Sequence, residues 1–145
     1  MTRTPLELAR DIYLPGADLA AVFADERLLD SFTRRLRKRV KPDLIAGDPQ
    51  NKLLGMAPGV DRFIDTWRDW ISAWDMWRIE RLEFHAGETS DCVLVLLDIR
   101  ARSRTESIEM EQEGANVLWF EDGLVSRLEL YFDRDDARRA AGIES

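Results

Sequence analysis

Asn116-Val-Leu-Trp-Phe-Glu-Asp-Gly-Leu-Val-Ser-Arg-Leu-Glu-Leu-Tyr-Phe-Asp133 places two alternating apolar and polar segments on either side of Asp122-Gly123. A two-residue hairpin turn of the primed type needs positive φ at both central residues, which Asp and Gly adopt at low cost. The stretch predicts two antiparallel strands. Arg134 to Ala141, with Gly142 at the C′ position, predicts a short closing helix directly after them.

Toward the N-terminus the same period of two predicts strands over Ile108 to Phe120, Cys92 to Arg104 and Trp77 to Ala86. Before them the period changes. Phe63, Ile64, Trp67, Trp70, Ile71 and Trp74 recur at helical spacing and predict a helix over Val60 to Asp75. Asp18 is a candidate N-cap for an apolar stripe from Leu19 to Val40, stopped by Pro42, with a break allowed near Asp25. Pro5 opens a shorter helix ended by Pro15-Gly16. Asp43 to Asp48 reads as a short strand, and Pro49 to Pro58 as a loop. Helices first and strands last predict an α+β domain over residues 1–145, with helices on one face of an antiparallel sheet.

Alternate residues separate the faces of that sheet. Val93, Val95, Leu97, Ile99 and Ala101 share one face of their strand, as Leu128, Leu130 and Phe132 do of theirs. The opposite faces carry Asp98, Arg100, Arg102 and Arg104, then Glu109, Glu111 and Glu113, then Arg127, Glu129, Tyr131 and Asp133, a cross-strand charge ladder that reads as solvated. On the strand between them the inward positions are Met110, Gln112, Gly114, Asn116 and Leu118, so two amides enter an otherwise apolar interior. A buried amide costs a few kcal/mol unless it finds a partner. Trp67, Trp70 and Trp74 form an aromatic face that reads either as core or as one wall of a cavity.

The composition, 45% hydrophobic and 34% charged, is that of an ordinary globular protein. A net charge of −7 disfavours nucleic acid as a partner. Arg34 to Lys41 holds six cations in eight residues and reads as a solvated helix face, with phosphate binding as the alternative. The single cysteine, Cys92, excludes an internal disulfide and fits a reducing compartment; it reads as a small core residue, a catalytic thiol being the alternative. No apolar run approaches the roughly 20 residues that cross a bilayer, so a cytoplasmic protein without membrane contact is expected. His85 beside Ala86-Gly87 reads as exposed or as a proton shuttle. One histidine, with Glu109, Glu111 and Glu113 lacking a nitrogen or thiolate partner, gives no metal site.

The order of elements, together with Phe120 to Arg127, Tyr131-Phe132-Asp133 and Ala140-Ala141-Gly142-Ile143, resembles the SnoaL-like, nuclear transport factor 2-like superfamily over nearly all 145 residues. The resemblance implies a cone of curved sheet wrapped on helices, a ligand cavity inside it and a homodimer formed through the sheet. It also implies a choice among polyketide cyclases, ketosteroid isomerases, limonene epoxide hydrolases, dehydratases and noncatalytic modules, which fold alone does not make. The hydrolases share the Tyr-Phe-Asp strand end, and an ungapped comparison puts their catalytic Asp-Arg-Asp set on Leu97, Ile99 and Leu130. These aliphatic residues transfer no proton, so that chemistry is disfavoured.

The same comparison brings Asp48 to the cone, where a carboxylate suits general-base work; the alternative is a turn residue before Pro49. The expected site takes a small, largely apolar molecule between Trp67, Trp70, Trp74 and Leu97, Ile99, Gln112, Leu118, Leu128, Leu130 and Phe132, without a cofactor. Asp48 is the base and Asn116 the oxyanion donor if it is an enzyme, a cyclase or isomerase acting by proton transfer. A noncatalytic ligand-binding or dimerisation module is the alternative.

Overall fold

Four of the five helices among the described residues begin where a side chain, that of Thr4, Asp18, Asp25 or Asp133, satisfies the first free backbone N–H groups. In the computed structural model, which describes residues 3–13, 16–50, 55–106 and 108–143, α1 (Pro5–Ile12) opens on a Thr4/Glu7 capping box. Asp18 Oδ1 accepts from the N–H groups of Ala20 and Ala21 to start α2 (Leu19–Ala24), and from Trp77 N at 3.0 Å, pinning that helix to the sheet. The stripe predicted from Leu19 to Val40 is two helices, divided at Asp25, where the sequence allowed a break. Asp25 is extended, and its carboxylate caps α3 (Glu26–Arg39) through Arg27 N and Leu28 N. Pro15, the predicted stop of α1, lies outside the described residues.

The chain enters β1 (Val40–Gly47) directly from α3, three residues earlier than the reading from Asp43. Pro42 falls in the irregular stretch between the Val40 and Ile45 pairings, where its missing N–H is tolerated. Part of the Pro49 to Pro58 loop is β2 (Ala57–Pro58), followed by α4 (Val60–Ile71), β3 (Trp74–Ala86), β4 (Cys92–Ser103), β5 (Glu109–Glu121), β6 (Leu124–Tyr131) and α5 (Arg134–Ala141). Asp122 and Gly123 have φ of 55° and 80°, as the primed turn requires.

The six strands form one open curved sheet in the order β2-β1-β6-β5-β4-β3. Its antiparallel meander is as expected, but β1 pairs with β6 in parallel, so the sheet is mixed. Register shifts at Trp74/Met76, Ile79/Arg81 and Trp119/Phe120 bend the strands and deepen the curvature.

Both faces of β4 are buried over Cys92–Leu97. The inward residues Val93, Val95, Leu97, Ile99 and Ala101 pack toward α1–α4, while Cys92, Leu94 and Leu96 join Ala115, Val117, Ala137 and Ala141 in a second core under α5. The expected solvated outer face is therefore confined to the part beyond Asp98. There Arg100 lies opposite Glu111 at 3.0 Å and Arg102 opposite Glu109 at 3.6 Å. Asp98 and Glu113, two acids in direct register, are bridged by Arg134 of α5 at 2.8 and 3.8 Å. Burial pushes the Cys92 thiol up to about 11, so it stays protonated near neutrality and acts as a packing group. No helix is long and apolar enough to cross a membrane among the described residues.

Candidate functional site

The helices cover the concave face of the sheet incompletely, leaving a cavity of about 340 Å³. This is a size that suits a small ligand. α4 brings Trp67 and Trp70 to one wall, and the inward positions of β4, β5 and β6 bring Leu97, Ile99, Gln112, Asn116, Leu128 and Leu130 to the other, with Phe132 just past the end of β6. Asp48, the residue after β1, also lines it. Cross-strand pairing fixes the inward direction: Leu97 faces Gly114, Ile99 faces Gln112 and Asn116 faces Leu130. Leu97, Ile99 and Leu130 are thus aliphatic side chains inside the cavity.

Two expected lining residues are not in the lining. Trp74 is the first residue of β3, not the last turn of a helix, and its ring meets Trp70 tilted at 5.8 Å and Trp77 edge to face at 5.3 Å. Leu118 is 1% exposed and is sealed into the inner core, opposite Val93 and Leu128. Trp77, 5% exposed, takes the place expected of Trp74, meeting Trp67 and Trp70 edge to face. The indole N–H of Trp67 is buried with no hydrogen-bond partner among the described residues.

The surface of the cavity is mostly apolar. Asp48 is 2% exposed and its Oδ1 accepts from Gln50 N at 2.8 Å, so it is at once the turn residue and the cavity carboxylate that the sequence offered as alternatives. Asn116 Nδ2 donates to Tyr13 Oη at 2.6 Å. Tyr13 caps the end of α1, lines the cavity and had no sequence signal as a site residue, since its partner is 103 positions away. With its oxygen accepting from the amide, the phenol O–H is left to donate. Gln112 lines the cavity, and its side chain makes no hydrogen bond among the described residues. His85 is exposed at the end of β3, 3.8 Å from Glu83 and outside the cavity. No group of three His, Cys, Asp or Glu side chains among the described residues is placed to hold a metal.

Burial raises the Tyr13 phenol to about 12, the Asn116 bond opposing the rise. An unfolded tyrosine releases its proton near pH 10. Between about pH 10 and 12 the folded chain therefore holds the extra proton, and stability present in full below pH 10 falls as the pH climbs. Tyr13→Phe is expected to cost about 1–2 kcal/mol at pH 8 by leaving Asn116 unpartnered. It should also flatten part of the alkaline loss seen by urea unfolding from pH 8 to 12. The remainder belongs in part to Tyr131, whose hydroxyl donates to buried Glu129 at 2.6 Å and is likewise raised. An unchanged pH profile would place Tyr13 in water.

No family model matches the sequence. No curated protein matches it at a significant level. Solved structures do. A nuclear transport factor 2-like protein of unknown function from Burkholderia pseudomallei aligns over 97% of this chain and 98% of its own, with a TM-score of 0.67 and 18% identity. A putative polyketide cyclase from Pseudomonas putida aligns over 97% and 99%, with a TM-score of 0.65 and 13% identity. A putative SnoaL-like polyketide cyclase from a Jannaschia species aligns over 100% and 99%, with a TM-score of 0.65 and 11% identity. The chain therefore has the α+β fold that nuclear transport factor 2-like and SnoaL-like proteins share.

Proposed function

We propose that the protein holds a small, largely apolar ketone in the cone and moves a proton on it without a cofactor. The observation that carries this reading is that buried Asp48 and the Tyr13–Asn116 pair line one apolar cavity. The Asp48 carboxylate takes a proton from the carbon next to the carbonyl, and the C–H electron pair moves to the carbonyl oxygen as an enolate. Tyr13 donates to that oxygen, with Asn116 fixing the phenol; this hands to Tyr13 the donor role expected of Asn116. Where the ketone carries a β,γ double bond, protonated Asp48 returns the proton to the γ-carbon of the dienolate, an isomerisation; otherwise the enolate carbon attacks a second carbonyl of the same molecule, whose oxygen takes the proton from Asp48, a cyclisation. Apolar walls keep competing water away from the enolate.

The test uses 2-tetralone, an apolar ketone with exchangeable α-protons, in D₂O with deuteration followed by NMR. The protein should accelerate exchange well above an equal concentration of acetate. Asp48→Asn should lose about 100-fold of that acceleration, within the range of a positioned base. Tyr13→Phe should lose about tenfold. The rival reading, a noncatalytic ligand carrier, rests on the aliphatic Leu97, Ile99 and Leu130 inside the cavity. It is favoured if tetralone quenches the tryptophan fluorescence yet exchanges no faster than in acetate.

A further inference from the structure

The basic stretch Arg34 to Lys41 does not behave as one solvated face. Arg34 pairs with Asp30 at 2.6 Å, Arg37 pairs with Asp61, and Lys41, already in β1, reaches Glu121 at 2.8 Å and Asp122 at 3.6 Å across the hairpin end. Arg35 and Arg39 differ from these. Both line the cavity, and neither side chain has a hydrogen bond or ion pair with any described residue, in a chain with 28 acidic and 21 basic side chains.

Arg35 is exposed and Arg39 half-buried, so they sit at the rim and not in the depth of the cavity. Leu28, on the first turn of the same helix, is 48% exposed while lining the cavity, and Phe32 and Leu36 continue the apolar lining between them. The acidic groups that share the lining are engaged or remote in role. Asp11 is paired with Arg3 and also feels Arg39, Glu113 lies 3.8 Å from Arg134, and Asp48 is the buried carboxylate after β1.

Two guanidinium groups four residues apart on a helix repel each other when nothing lies between them. Their side chains stand about 6 Å apart along the axis, a span that one oxyanion bridges. Guanidinium presents paired N–H donors that match a carboxylate or sulfonate, and the apolar rim strengthens that attraction relative to open water. Resting on the reading of the cavity as a ligand site, we propose that its ligand is an amphipathic anion, with the apolar body inside the cone and an oxyanion head held at the rim by Arg35 and Arg39.

The probes are 8-anilinonaphthalene-1-sulfonate and N-phenyl-1-naphthylamine, which share an aromatic body and differ by the charged head. Binding is followed by energy transfer from the tryptophans. The sulfonate is expected to bind at least tenfold more tightly than the neutral amine in 20 mM salt, with the preference narrowing at 500 mM as charge is screened. Arg35→Gln with Arg39→Gln should bring the two dyes within about twofold and leave the neutral dye unchanged. Lys38→Gln, an exposed cation of the same helix outside the lining, should keep the preference. Equal affinities for the two dyes in the native protein, or a preference that survives the double substitution, overturn the proposal while leaving the cavity as a ligand site. Failure of both dyes to bind overturns the ligand reading itself.

Discussion

Gly47→Ala is expected to destabilise the protein by about 3 kcal/mol or more, the sum of a strained φ and an overpacked contact. Gly47 closes β1 at a φ of 147°, where an L side chain is strained. A Cβ there would stand 1.9 Å from the Gly55 carbonyl oxygen and 3.1 Å from Met56 Cα. Those atoms are backbone and have no rotamer to yield, so β1 and the strand that follows Gly55 must separate. Gly123→Ala is the matched control, because its φ of 80° is also unfavourable but nothing lies within 4 Å of the added carbon. It should cost about 1 kcal/mol, the conformational part alone. For a chain of this length the difference corresponds to a fall in Tm of roughly 10 °C, read by calorimetry. Equal costs for the two variants would show that the two chain segments do not approach this closely. The contact also bears on the site, since Gly47 immediately precedes Asp48 and pairs with Glu129 of β6. The close approach of the two backbones fixes the direction in which the chain leaves the strand, and with it the burial of the carboxylate.

The parts of this fold governed by local rules were open to reading from the residues. Asp122-Gly123 specifies its own turn, and the inward row from Val93 to Ala101 follows from the pleat. The Cys92–Leu97 run is apolar at every position, a pattern that marks a strand buried on both faces. Reading only alternate residues misses that, and with it the seat of α5. Trp74 continues the spacing of Trp67 and Trp70 by coincidence, because the helix ends at Ile71 and β3 begins three residues later. Parallel pairing of β1 with β6 joins segments about 80 residues apart and leaves no local mark, since the order of elements is the same for either direction. The Tyr13–Asn116 bond is nonlocal in the same sense: an inward asparagine announces that it needs a partner, not which residue supplies one.

Leu118→Ala and Leu130→Ala should differ in cost although both leucines point to the concave side of the sheet. Leu118 is 1% exposed, faces Val93 and Leu128, and is sealed from the cavity. Truncation leaves a closed void, and the lost transfer energy and lost contacts together come to about 3 kcal/mol. Leu130 is half-buried, pairs with Asn116 and already borders the open volume, so fewer contacts disappear. Its loss should cost about 2 kcal/mol, at the low end for leucine because the site was never closed around it. Urea unfolding with unchanged m-values measures both. A cost for Leu130 equal to that for Leu118 would mean that the cone is filled in solution, which would remove the volume on which ketone binding and the rim arginines depend. The expected inequality instead gives the aliphatic residue at position 130 a role of its own. It shapes an empty space at low cost, and Leu130→Ala should then admit a larger aromatic body than the native cavity does.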